Sequence, residues 1–313
     1  MSEALKIDAG TWQELPDMPV EKWEAATFVL DEKLYVLGGY GAGVKSSKIC
    51  HIFDPKDGSW TRTQDLPSAI SHVNPVLDGR TVWLAGGFKD GYKDHIIAEV
   101  WSYDLDLDRF TAAPLLPEKR GGGGLALIGR RLHYISGLKE DRDTDAAEHW
   151  VFDLDEWQKG SAEWREDAAP MPVPRNQFST VLFEGKIYLI GGQFHHDSMQ
   201  LDQSRVDIYD PETDSWSTGP SLPKGHSHSE GGTFVHDGEI YMVGGHTTPE
   251  GGRKSIDPDI LKLAPGGPWE LIGKLPVPLS SPAARIIGGK FYVAGGSLNG
   301  GSVQPKMWVT DAP

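Results

Sequence analysis

An all-β ring of six four-stranded blades, a β-propeller, is the fold class that the sequence predicts. Three observations predict it. Six times a hydrophobic run ends in a small-residue doublet: Gly38-Gly39, Gly86-Gly87, Ser136-Gly137, Gly191-Gly192, Gly244-Gly245 and Gly295-Gly296. These doublets follow one another at intervals of 48, 50, 55, 53 and 51 residues, the mark of a repeat array whose units bury their apolar faces only against neighbours. Each repeat then reaches an aromatic residue that closes a polar turn, and no long amphipathic helical pattern appears.

The fourth repeat shows how one unit is built. Phe178-Ser-Thr-Val-Leu-Phe183 reads as a first strand and Lys186-Ile-Tyr-Leu-Ile190 as a second, joined at Glu184-Gly185, where glycine admits positive φ. The second strand is apolar almost throughout, as suits burial on both faces. Val206-Asp-Ile-Tyr209 makes a third strand, Asp210-Pro-Glu-Thr-Asp214 turns the chain, and Ser215-Trp216-Ser217 begins a fourth. Leu222-Pro223 leads onward. The other repeats follow the same order, with turns at Phe53 to Trp60, Tyr103 to Phe110, a longer one from Phe152 to Trp164, and Leu261 to Trp269. The sixth stops soon after Trp308-Val-Thr-Asp311 and lacks a fourth strand. Thr11-Trp12-Gln-Glu-Leu-Pro16 has the form of that strand, so it is expected to complete the last blade and protect its edge. Blades are therefore expected at about 20–66, 67–116, 117–170, 171–222, 223–275 and 276–311 with 11–16, all in one domain over 1–313.

Composition narrows the partners. A net charge of −15, with no run of more than two basic residues, argues against nucleic acid. No apolar stretch is long enough to span a membrane, and the polar start MSEALKIDAG lacks a signal-peptide pattern. Cys50 is the single cysteine, so no intrachain disulfide forms. These features lead to the expectation of a cytoplasmic protein.

Gly-Gly doublets followed by a Tyr or Phe and then a Trp, at this period, resemble kelch repeats over residues 11–311. The resemblance implies a six-bladed propeller closed by an N-terminal strand. Its functional implications are broad, because kelch propellers include protein-binding adaptors, radical copper oxidases, sialic-acid mutarotases and plant specifier proteins. The copper-radical option needs a Tyr cross-linked to a Cys, and Cys50 falls at the ring periphery. Asp141-x-x-x-Asp145-x-x-x-His149 is similar to the iron-binding spacing of the specifier proteins. It departs from them in having Asp for Glu at the first position and in starting later, and a solvated loop accounts for it better.

Strand alternation brings the loop before each first strand and the loop after each doublet to one end of the ring. That concave mouth is where a propeller ligand is expected. Aligned on the doublets, the first strands begin at Lys22, Ile70, Arg120, Arg175, His228 and Leu279. Two residues on come Glu24, His72, Gly122, Gln177, Glu230 and Ser281, pointing the same way. Past the doublets stand Tyr40, Phe88, Leu138, Gln193, His246 and Ser297.

The candidate ligand-binding residues are Trp23, Tyr40, His72, Phe88, Arg120, Arg175, Gln177, Gln193, His228, Glu230 and His246. Arg120 and Arg175 suggest a planar fork for an anion, or else bridges between blades through backbone carbonyls. In His226-Ser-His228-Ser-Glu230 the two histidines and the glutamate would share one face of a strand. With His195 and His246 nearby, His226 and His228 could hold a divalent transition metal, or all four could be hydrogen-bonded histidines at loop ends. Two functions compete. One is a binding propeller for a small polar or anionic ligand or an acidic peptide loop. The other is an enzyme on a sugar or similar polar substrate, mutarotase- or epimerase-like or metal-dependent, with His228 and Glu230 as an acid/base pair. On the binding reading, Arg175→Ala would weaken ligand affinity and leave stability nearly unchanged.

Overall fold

The computed structural model describes residues 6–89, 95–196, 198 and 200–313, so the first five residues of the polar N-terminal run lie outside it. Six main antiparallel sheets succeed one another along the described chain, with four shorter ones of two or three strands in the loops. The first contains Ala26–Leu30, Lys33–Leu37, Cys50–Asp54 and Ser59–Arg62, hydrogen-bonded in that order. The second, fourth and fifth repeat the pattern from Val76–Asp78, Ser179–Phe183 and Phe234–His236. The third has three strands, Gly124–Ile128, Arg131–Ile135 and His149–Asp153. Its longer turn holds a one-turn helix, Leu154–Gln158, whose cap Asp153 accepts from the amides of Asp155 and Glu156. The place of its fourth strand is reduced to a bridge between Val151 and Arg165. The last sheet joins Ala283–Ile287, Lys290–Ala294 and Met307–Asp311 to the N-terminal strand Gln13–Leu15, with Gln13 opposite Val309.

The apolar core lies between sheets, as expected of units that cannot bury their faces alone. Phe28 and Leu37 pack with Val82 and Tyr103 of the second sheet. Trp83 and Leu116 pack with Tyr134 and Trp150 of the third. Further clusters join the third to the fourth, the fourth to the fifth and the fifth to the sixth. A last one joins Ala294 and Met307 to Leu34 and Phe53, packing the sixth sheet on the first.

Beside this apolar cement runs a chain of backbone hydrogen bonds. The amide of the second residue in each doublet donates to a carbonyl in the next sheet's leading loop: Gly39 to Ile70 (2.8 Å), Gly87 to Arg120 (2.8 Å), Gly137 to Arg175 (3.2 Å), Gly192 to His226 (2.8 Å) and Gly245 to Leu279 (2.8 Å). Gly296 donates to Lys22 of the first sheet at 2.7 Å. Both doublet positions have positive φ, the conformation glycine adopts at least cost. No helix among the described residues is long and apolar enough to cross a membrane.

At the end opposite these loops, the first strands of all six sheets line a 480 Å³ cavity that includes Val76, Leu127, Leu182 and Val235. Arg285 lies beside it with its guanidinium bonded to the carbonyls of Thr27, Gly231 and Ala284.

A Cβ on Gly39 (φ +80°) would meet the Trp23 carbonyl at 2.6 Å and the Ala25 Cα at 2.9 Å, whereas one on Gly185 (φ +75°) meets nothing within 4 Å. Gly185→Ala should therefore cost only about 1–2 kcal/mol of backbone strain. Gly39→Ala should cost roughly 2 kcal/mol more, as its clash is with backbone that cannot rotate away. Equilibrium urea unfolding of the two variants checks this order.

Candidate functional site

The mouth is organised by six residues of left-handed backbone, one per sheet: Glu24 (54°), His72 (56°), Gly122 (59°), Gln177 (50°), His228 (56°) and Ser281 (41°). Three backbone hydrogen bonds link them in pairs. His72, Gln177 and Ser281 donate their amides to the carbonyls of Glu24 (3.2 Å), Gly122 (2.8 Å) and His228 (2.9 Å). This corrects the alignment of the fifth repeat by two residues. His226, not His228, leads that sheet, and His228, not Glu230, is the inward residue. A 3₁₀ turn at Glu230–Gly232 delays the first strand to Phe234, so Glu230 stands on this turn and does not share a strand face with the histidines.

The leading residues turn away from the axis. Lys22, Arg120, Arg175 and His226 are all nearly fully buried. Lys22 Nζ donates to the carbonyls of Gly38 (2.9 Å) and Ile49 (2.7 Å), and burial lowers its pKa to about 8. His226 Nε2 contacts the Gly244 carbonyl, with Asp257 3.3 Å from Nδ1. Arg120 bonds the Lys119 carbonyl and the carboxylates of Glu118 (2.9 Å) and Glu148 (3.0 Å), and its guanidinium lies 4.6 Å from the Trp150 ring centre. Arg175 bonds the carbonyls of Gly191, Leu189 and Val173 and pairs with Asp207 at 2.6 Å, both side chains inaccessible. Desolvation lowers its pKa. The fork of Arg175 is filled by the protein, and the two terminal nitrogens of Arg120 are taken by a carbonyl and two carboxylates while its buried Nε keeps no hydrogen bond, so the structure directs both arginines into their own sheets and not towards an anion in the mouth.

On the axis the structure brings together a different set. His72 Nε2 lies 2.6 Å from Glu24 Oε2, and His228 Nε2 lies 3.6 Å from Glu24 Oε1. His72 and His228 come from the second and fifth sheets, on opposite sides of the ring, with ring centres 6.2 Å apart. Glu24 therefore spans the axis between them. Among the described residues, these three are the group of His, Cys, Asp or Glu side chains close enough to share a cation, every ligand atom within 4.8 Å of the others. His246 stacks on His228 at 4.1 Å, and burial holds both imidazoles well below their usual pKa. Burial also raises the Glu230 carboxyl to about 7.

Of the four histidines considered for a metal, His228 alone belongs to this group. His226 is engaged by Gly244 and Asp257, His246 is a stacking partner, and His195 is half exposed and 4.0 Å from Asp143. Glu24 falls on the inward ring in the sequence alignment but was not among the candidate site residues. Its signal was its place on the same inward ring as His72 and His228, which only a corrected fifth repeat reveals.

The aromatic candidates are buried walls. Trp23 donates to Ser280 Oγ at 3.0 Å, Tyr40 meets His72 edge-on at 5.5 Å, and Phe88 packs against His72 (4.6 Å) and His196 (5.6 Å). Gln193 donates to Asn176 Oδ1 at 3.1 Å. Gln177 is different: it is 1% exposed, and neither its Oε1 nor its Nε2 has a hydrogen-bond partner among the described residues.

The Asp141, Asp145 and His149 spacing does not make a shared site. Asp141 caps its own loop through Asp143 N, Thr144 N and Thr144 Oγ1. Asp145 accepts from Asn176 Nδ2 at 2.6 Å. His149 is fully buried against His133 (2.9 Å) and the Ala169 carbonyl (3.1 Å).

The chain is similar to known proteins in motif and in fold. The family model for the kelch motif matches residues 24–67 and 174–223. A kelch repeat-containing protein of Arabidopsis thaliana is 27% identical over 96% of this chain and 75% of its own length. Kelch-like protein 26 of Danio rerio is 31% identical over 77% of this chain, which spans only 38% of that relative. The solved structure of YjhT superposes with a TM-score of 0.77 at 15% identity, covering 95% of this chain and 97% of that one, a likeness of fold.

Arg175→Ala should destabilise the fold by about 1–3 kcal/mol, because it leaves the buried carbonyls of Gly191 and Leu189 without their donor, while the Asp207 carboxylate keeps Arg205 at 2.7 Å. A denaturation midpoint left unchanged would refute this. The Asp145 carboxyl, raised to about 6 by burial, holds a proton in the folded chain that it has lost in the unfolded one between its ordinary value and pH 6. Its contribution therefore falls as pH rises through that window. Asp145→Asn, which still accepts from Asn176, should melt higher than the parent at pH 7, with the gap closing as pH falls towards 4.

Proposed function

With the chain established as a kelch-repeat protein of β-propeller fold, we propose that it is a binding propeller whose mouth takes a small neutral polar ligand. The fold is a scaffold for ligand binding or protein interaction, and the choice between these rests on the mouth. One observation carries it: the buried Gln177 amide, with both polar atoms unpartnered. An orphaned buried donor or acceptor costs about 1–3 kcal/mol, so such groups are kept where something else satisfies them. Glu230 Oε1 and both His246 nitrogens are further buried atoms without partners.

Gln177 offers one donor and one acceptor side by side, and Glu230 a second acceptor. A molecule bearing hydroxyl or amide groups matches this pattern. An anion matches it less well, since Arg120 and Arg175 are paired with carboxylates elsewhere and Glu24 places a carboxylate between His72 and His228. Buried aromatic walls at Trp23, Tyr40 and Phe88 keep the site dry and its dipoles fixed, which raises the value of each hydrogen bond.

The test is a thermal-shift and calorimetric screen of neutral monosaccharides, polyols and small amides on the full chain, repeated with Gln177→Leu. A hit should lose at least tenfold in affinity in the variant, about 1.4 kcal/mol, while the free variant melts no lower than the parent because the orphaned amide is gone. A variant that binds as the parent does, or one that unfolds, would overturn the assignment.

A further inference from the structure

Two copies of one dipeptide flank Glu24. Ser71-His72 and Ser227-His228 sit in the second and fifth sheets, and both histidines hold the same left-handed φ of 56°. In each copy the serine Oγ touches Nδ1 of its own histidine, at 2.9 Å for the first and 2.7 Å for the second. The Nε2 atoms of both rings are thereby turned towards the Glu24 carboxylate.

The fifth-sheet copy settles where the proton lies. Ser227 has one hydroxyl hydrogen, and the Asp202 carboxylate 2.7 Å away takes it. Towards His228, Ser227 Oγ is then an acceptor, so Nδ1 carries the imidazole proton and donates. A neutral His228 so held presents the bare lone pair of Nε2 to Glu24 Oε1 at 3.6 Å. An imidazole nitrogen and a carboxylate oxygen brought this close, with the second imidazole beside them, form the donor set that a transition ion takes. Serine orientation of the far nitrogen is also the arrangement that fixes metal-ligating histidines.

We infer that Glu24, His72 and His228 bind a divalent first-row transition ion, in a two-histidine, one-carboxylate site with its remaining positions facing the mouth. Two imidazoles with one carboxylate suit Zn²⁺, Fe²⁺ or Co²⁺ and select against Mg²⁺ and Ca²⁺, which prefer all-oxygen shells. Ligand bonds of about 2.0–2.2 Å place neighbouring donor atoms roughly 3–3.5 Å apart. The observed 2.6 and 3.6 Å bracket that spacing, so small side-chain rotations seat the ion. His246, stacked on His228, shields the ring from water and holds its plane. The ion needs no organic ligand, so this site stands or falls separately from the neutral-ligand reading.

The experiment strips the full-length protein with chelator and titrates it with Zn²⁺ by calorimetry and with Co²⁺ by visible absorption, with no organic ligand present. One equivalent per chain is expected, with Co²⁺ bands of a low-coordinate nitrogen and oxygen site. Glu24→Gln, which keeps the side-chain shape, should weaken binding at least a hundredfold while its metal-free melting curve matches the stripped parent. Ser227→Ala, which touches no ion, should weaken binding about tenfold by releasing the His228 tautomer, and it serves as the decisive variant should Glu24→Gln fail to fold. His195→Ala should bind as the parent does. Absence of stoichiometric binding in the parent would overturn the inference, as would affinity unchanged in either Glu24→Gln or Ser227→Ala.

Discussion

The hydrogen bond from the second doublet residue to the carbonyl leading the next sheet is the contact on which the rest of the structure depends. It occurs at all six junctions, including Gly296 to Lys22, and it sets how closely successive sheets approach at the mouth. The approach leaves no room for a side chain: a Cβ on Gly86 would lie 2.6 Å from the Arg120 carbonyl, and one on Gly38 2.7 Å from that of Ile70. The third junction shows the rule through its exception. Ser136 takes the first doublet position at φ 58°, and its hydroxyl lies 2.8 Å from the Arg175 carbonyl that would otherwise be crowded. A clash becomes a hydrogen bond.

The same junction explains the buried cations. Once the leading carbonyl is committed to the neighbouring doublet, the leading side chain folds back into its own sheet. There it meets the carbonyl of that sheet's first doublet glycine. Lys22 reaches Gly38, Arg175 reaches Gly191 and His226 reaches Gly244. In the sixth sheet Leu279 leads, and Gln304 supplies the donor to Gly295 instead. Long polar side chains thus satisfy carbonyls that strand pairing leaves over, the accounting that buried backbone requires.

The fold was legible because its signal is repeated. Six imperfect doublets agree on period, and Thr11 to Pro16 matched a missing strand by grammar alone. The site was legible only where repeats stay in register. Glu24, His72 and Gln177 were placed correctly on the inward ring, yet one short turn at Glu230–Gly232 moved the fifth repeat by two residues and set His228 and Glu230 in each other's roles. Arg120 and Arg175 were expected to bind a ligand at the mouth, because sequence cannot show whether a guanidinium points at the axis or, as Arg175 does, at Asp207. Pairing across the ring, as between His72 and His228, is invisible to any local pattern.

One strand of the last sheet comes from near the start of the chain, and this has a kinetic meaning. Gln13 faces Val309, so that pairing closes a loop that contains every other sheet. Loop-closure entropy grows only with the logarithm of length, which makes the closure affordable but necessarily late. During synthesis Gln13–Leu15 emerges first and must wait for Met307–Asp311, the strand it pairs with, to be made. Until then the growing chain is an open arc with an unmated edge at either end. The ring therefore cannot close before Met307–Asp311 is made, and a chain that lacks this strand keeps two exposed sheet edges, the kind of surface on which incompletely folded chains associate.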